Sequence, residues 1–146
     1  MLKLFYGYDR FARPVKNLTD PVTISMSLTI TQIFELDEKN QVLITNAWAN
    51  LEWIDQYMQW EPKEFADLSM VRILSSKLWL PDIVLYNNAA DFSPNVLETR
   101  AMVSSDGVIF WSVPTKLFSS CKIDVTYFPF DEQKVTKLIT FPLFIQ

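Results

Sequence analysis

From residue 22 to residue 31 apolar and polar side chains alternate without a break: Val22, Ile24, Met26, Leu28 and Ile30 against Thr23, Ser25, Ser27, Thr29 and Thr31. Successive side chains of extended backbone point to opposite sides, so a period of two predicts a strand with one buried face. Residues 37–40, Asp-Glu-Lys-Asn, carry turn chemistry, and a second extended segment runs from 42 to about 53. Two long strands joined in this way predict an antiparallel hairpin.

The second segment sorts into two unlike faces. Leu43, Thr45, Ala47, Ala49, Leu51 and Trp53 share one side, while Val42, Ile44, Asn46, Trp48, Asn50 and Glu52 share the other. The second set is too polar for a core, which leaves Trp48 as either a surface residue or an interface anchor. Further along, 61–70 reads as a loop with one helical turn, and a short strand in the stretch opened by Trp79 must begin at or after Pro81. Asp106-Gly107 between apolar runs predicts a tight hairpin. The stretch before Pro14 is read as the remains of a helix, and residues 138–145 as one strand that Pro142 confines to an edge or a bulge. Strand after strand with no long helix predicts an all-β class, most naturally a two-sheet β-sandwich.

Composition narrows the chemistry. With 49% apolar residues over 146 positions, the chain has the material for one core and is of single-domain size. The net charge of −4 offers no basic footprint for nucleic acid. There is no histidine, one cysteine and two glycines. Neither a zinc site, an internal disulfide nor a phosphate-cradling loop can be built from these, and the usual proton-transfer side chain is missing. No enzyme and no cofactor are expected. No apolar run reaches the ~20 residues that span a bilayer, and no signal peptide is expected from the first residues.

Three stretches carry a resemblance. "CKIDVTYFPFDEQ" (121–133) resembles the first arm of the signature loop of pentameric Cys-loop ligand-gated ion channels. "WIDQYMQW" (53–60) and "WLPDIVLYNNA" (79–89) resemble two further motifs of that family, in its order. "LDEKNQVLITNAWANLEW" (36–53) is similar to the nicotinic acetylcholine-receptor branch. The resemblance places a partial neurotransmitter-gated channel ligand-binding domain, implied to be an immunoglobulin-like two-sheet β-sandwich, at 1–133 and a divergent tail at 134–146. Val135 stands where the family has the second cysteine, so Cys121 is expected as a lone thiol and the domain as incomplete at its C-terminal end.

The family's agonist site lies between subunits, where aromatic faces surround a cationic amine such as acetylcholine. The resemblance implies that Tyr86 belongs to the principal side of such a site. Trp48 falls on the complementary side, with Asn50, Met102, Phe110 and Ser112 at neighbouring lining positions. Cys121, Phe128, Pro129, Phe130 and Asp131 fall in the signature loop. Trp53, Trp60, Trp79 and Trp111 are expected to pack, and Tyr86 is open to either reading. Asp55 and Asp131 are read as separate residues. Asn17-Leu18-Thr19 is a glycosylation sequon that matters if the chain enters the secretory pathway.

The resemblance thus implies a ligand-binding portion of a cation-channel subunit, a partner of other subunits in a pentamer at the extracellular side of the plasma membrane. The alternative is a soluble short form that binds or caps assembling subunits as a decoy.

Overall fold

The computed structural model describes residues 4–85, 98–124, 126–127, 129–130, 132–133, 135 and 139–140. The predicted hairpin is present: β1 (Ile24–Asp37) and β2 (Val42–Ile54) are joined by a turn at 38–41. Asp37 organises that turn, accepting the Asn40 backbone N–H at 2.9 Å and its side-chain amide at 2.7 Å. The Asn40 N–H, by favouring the charged form, holds the Asp37 carboxyl below its ordinary range. β1 runs well past Ile30, the last apolar residue of the strict alternation, because pairing with β2 and not burial carries its second half.

A single 3₁₀ turn at Pro62–Phe65 occupies the predicted loop. It is followed by β3 (Met70–Leu74), a second 3₁₀ turn at Ser75–Lys77 and β4 (Val84–Leu85), which begins after Pro81 as expected. β5 (Arg100–Ser104) and β6 (Val108–Ser120) form the hairpin about Gly107. β7 is Ile139–Thr140, and the rest of the 138–145 stretch lies outside the described residues. The fold is all-β, with five strands in the order β1-β2-β6-β5-β3 and a separate antiparallel pair of β4 with β7. β3 was not legible from the sequence, since only Val71 and Ile73 hint at alternation over five residues.

One expectation fails. Among the described residues before Pro14 there is no helix, only isolated turns closed by Tyr8 N–H to Phe5 O and Ala12 N–H to Asp9 O, each 3.2 Å. Gly7 takes a left-handed φ of 77°, which ends the first turn, and Asp9 accepts the Phe11 N–H at 2.9 Å. Such a local side-chain bond competes with helix propagation.

Two compact units are distinguished by their contacts. The first comprises Met1–Leu28, Ala49–Pro81 and Val96–Val113 and holds most of the core: Val15, Leu51, Trp53, Met58, Ile73, Leu78, Val103, Ile109 and Trp111 are all buried. Each such aliphatic side chain is worth about 1.5–3 kcal/mol relative to exposure. The second comprises Thr29–Trp48, Asp82–Asn95 and Pro114–Gln146. Thr45, Ala47, Ser119 and Cys121 are buried there, while Ile30, Ile33 and Phe34 are exposed.

Candidate ligand-binding face

The two faces of β2 separate as the alternation predicts. Thr45, Ala47, Ala49, Leu51 and Trp53 are buried, whereas Trp48, Glu52 and Ile54 are exposed and Asn50 is half-buried. Asn50 takes its position from both neighbouring strands. Its Oδ1 accepts the Ser112 hydroxyl of β6 at 2.6 Å, and its Nδ2 lies 3.4 Å from the Ser27 hydroxyl of β1. The amide is thereby oriented, with its oxygen toward β6 and its nitrogen toward β1.

On the same side of β6, Phe110 is half-buried and pairs directly across from Met102 of β5, which in turn stands opposite Arg72 of β3. Trp48 lies two residues before Asn50 on β2, on the same side of that strand, with 44% of its surface exposed. Asn50 with Ser112 and the Phe110–Met102 pair thus occupy outward positions of three successive strands. Such a set can offer π-faces to a cation and polar atoms for orientation.

The β5–β6 hairpin is held by a close backbone approach. Gly107 has φ 90° and gives its carbonyl to the Asp55 N–H at 2.9 Å. A Cβ on Gly107 would meet the Asp55 carbonyl at 2.5 Å. This junction sets β6 against the end of β2 and so brings Ser112 level with Asn50.

Asp55 is itself fully buried and accepts hydrogen bonds from the Tyr8 hydroxyl at 2.7 Å and the Tyr57 N–H at 2.9 Å. Burial raises its carboxyl above the ordinary range, with both bonds opposing the shift. Burial likewise raises the Tyr8 hydroxyl, which also accepts the Trp79 N–H at 2.9 Å. Asp55 is thus a junction of the N-terminal segment and the Trp-Leu-Pro-Asp stretch. Sequence reasoning missed this role; the only available signal was an acid set between Trp53 and Trp60.

The other tryptophans pack. Trp53 is 1% exposed and meets Trp79 edge to face, with ring centroids 6.1 Å apart. Trp53 Nε1 has no hydrogen-bond partner among the described residues. Trp60 donates to the Leu68 carbonyl and buried Trp111 to the Thr99 hydroxyl, each at 2.7 Å. Cys121 is a buried free thiol whose backbone N–H bonds to the Gln41 carbonyl at 2.8 Å. Pro129 and Phe130 are exposed on a turn closed by the Phe130 N–H to Tyr127 O, 2.8 Å. Tyr86, Phe128 and Asp131 lie outside the described residues. Asn17 is exposed in a short loop that Arg13 braces through the carbonyls of Leu18 and Asp20. Among the described residues there is no group of three potential metal ligands and no helix long and apolar enough to cross a membrane.

The chain belongs to the neurotransmitter-gated ion-channel ligand binding domain family, whose model matches residues 1–137. Within that class, nicotinic receptor subunits are similar to it over most of its length. Human neuronal acetylcholine receptor subunit alpha-4 is 46% identical over 135 residues, covering 92% of this chain and 21% of the human protein. Rat subunit beta-3 is 44% identical over 130 residues, 89% of this chain and 28% of the rat protein. Chicken subunit alpha-2 is 45% identical over 130 residues, 89% and 25% respectively. The chain therefore spans between a fifth and somewhat over a quarter of the length of these relatives.

Proposed function

We propose that the Trp48 side of β2 forms the complementary half of an amine-transmitter site, in a nicotinic acetylcholine receptor-like assembly that gates a cation pore. The observation that carries this reading is Trp48 itself: a large aromatic ring left exposed on an otherwise polar strand face, two residues from an amide fixed on both sides. A cation held against such a ring gains the quadrupole attraction once water is displaced. Asn50, Met102, Phe110 and Ser112 would line the ligand beside it. Tyr86 would serve the principal side of the site in this same chain, facing a different neighbour.

In this reading the chain works with other subunits of a pentamer, at the extracellular side of the plasma membrane, and Asn17 carries a glycan. The loop containing Cys121, Phe128, Pro129, Phe130 and Asp131 occupies the family's signature-loop position, with residues 134–146 as a divergent tail. Co-assembly with a complete subunit that supplies the principal aromatic cluster provides the test. Trp48→Ala should weaken acetylcholine binding by about 1–2 kcal/mol, roughly 5- to 30-fold, with Trp48→Phe intermediate. Equal affinity in all three assemblies would refute the assignment.

A further inference from the structure

Asp106-Gly107 is the one Asp-Gly step in the sequence, and no Asn-Gly step occurs. Glycine puts no side chain in the way when its amide nitrogen attacks the carboxyl carbon of the preceding residue, so this step is chemically labile. The fold cannot dispense with it. Gly107 takes φ 90°, and a Cβ there would lie 2.5 Å from the Asp55 carbonyl oxygen and 2.9 Å from Gln59 Cγ. The exposed Asp106 side chain accepts the Val108 N–H at 3.2 Å and so shapes the turn. The peptide group between the two residues is pinned at both ends. The Gly107 N–H donates to the Ser104 carbonyl at 2.9 Å, and the Asp106 carbonyl accepts Gln59 Nε2 at 2.9 Å. The first bond is internal to the β5–β6 hairpin, whereas Gln59 reaches in from 47 positions away. All these residues belong to the first compact unit.

We propose that Asp106 is a site of spontaneous isoaspartate formation, and that the Gln59 side chain keeps the reaction slow in the folded chain. The Gly107 nitrogen bonds to Asp106 Cγ. One carboxyl oxygen leaves as water, taking the Gly107 amide proton and one proton from solvent, and a five-membered succinimide remains. Water then adds to either imide carbonyl and returns that proton: opening one C–N bond restores aspartate, and opening the other leaves the main chain running through Asp106 Cβ. No atom is gained or lost overall. Ring closure requires the peptide plane to turn toward Cγ and its nitrogen to give up the proton now held on Ser104. The hairpin must therefore open locally first, and the rate follows the open fraction. The product carries one extra main-chain carbon between β5 and β6, where Met102 stands opposite Phe110 and fully buried Val103 opposite fully buried Ile109. That register cannot survive the insertion unaltered. The inference does not depend on the amine-site reading of the Trp48 face.

Incubation of the purified full chain at neutral pH, with isoaspartate measured by mass spectrometry in the tryptic peptide 101–116, tests this. The wild-type chain in buffer should form isoaspartate at 106 at least about tenfold more slowly than the same chain unfolded in urea, a comparison that needs no variant. Gln59→Ala and Gln59→Glu, which both remove the donor to the Asp106 carbonyl, should speed the reaction in buffer about 2- to 10-fold, the scale of one hydrogen bond. Gln56→Ala removes a comparable bond elsewhere, from the Lys16 N–H to Gln56 Oε1 at 2.8 Å, and should leave the rate unchanged. No isoaspartate in urea, equal wild-type rates in buffer and urea, wild-type rates in both Gln59 variants, or equal acceleration by Gln56→Ala would each overturn the proposal.

Discussion

The hydroxyl of Tyr8 donates to Asp55 Oδ2 at 2.7 Å across 47 positions of sequence, and the same oxygen accepts the backbone N–H of Trp79. One phenol therefore links the N-terminal segment, the end of β2 and the Trp-Leu-Pro-Asp stretch. Tyr8→Phe removes both bonds and leaves the buried carboxyl with fewer donors. A loss of about 1–3 kcal/mol in unfolding free energy is expected, read from urea titration. A loss below ~0.5 kcal/mol would show that the phenol is replaceable by solvent.

The Asp55 carboxyl also makes stability depend on pH in a stated direction. Its proton is held more tightly in the folded chain than in the unfolded one, because burial disfavours the charge. Its contribution to stability is therefore fully present below the unfolded value, about 4, and is lost as pH rises through the folded value. Relative to Asp55→Asn, which cannot titrate, the wild-type chain should lose unfolding free energy as pH is raised from ~4 toward neutrality. Tyr8→Phe, by removing a bond that favours the anion, should move this loss to higher pH. Parallel slopes for wild type and Asp55→Asn would exclude a titrating Asp55.

Gly107 is a position where adding one methyl group is decisive. Its φ of 90° is strained for any L side chain, and the new Cβ would press against the Asp55 backbone carbonyl at 2.5 Å. Gly107→Ala should destabilise the chain by at least about 1 kcal/mol and shift the amide resonances of Asp55 and Ser104. Unaltered stability would mean that the hairpin can separate from β2 without cost.

Trp48 and Trp53 lie five residues apart on opposite faces of one strand, and substitutions should sort accordingly. Trp53→Ala empties a core position and should cost about 3–5 kcal/mol. Trp48→Ala changes an exposed ring and should stay within about 0.5 kcal/mol of wild type in stability, whatever it does to ligand affinity. Comparable losses for both would place Trp48 in the packing and not on a free face.

The loop after Cys121 is closed by Gln133, whose Nε2 donates to the Asp124 carbonyl at 2.7 Å while its Oε1 accepts the Asp124 N–H at 3.2 Å. Gln133→Ala should speed hydrogen exchange at the Asp124 amide several-fold, in line with about 0.5–1.5 kcal/mol per bond. Gln133→Glu keeps the acceptor and loses the donor, so its exchange rate should fall between. Unchanged exchange in both variants would show that other contacts close the loop.

Local periodicity was enough to read the all-β class, the β1–β2 hairpin, the inward set from Thr45 to Trp53 and the turn at Gly107. Each depends on the pleat or on one residue's φ, which are properties of a few neighbouring positions. The same local signal made Trp48 conspicuous as an aromatic on a polar face. It misjudged the N-terminal stretch, where Gly7 and the Asp9 side chain break a helix that composition alone allows. It also passed over β3, whose five residues become a strand by pairing with β5 and not by their own pattern. The Asn50–Ser112 bond spans 62 positions and exists because β6 lies beside β2, an adjacency that chain order does not state. The partner of Asp55 was hidden for the same reason. A buried carboxyl must find donors wherever the closed chain brings them, and which residues those are is decided when distant segments pack, after every local preference has been satisfied.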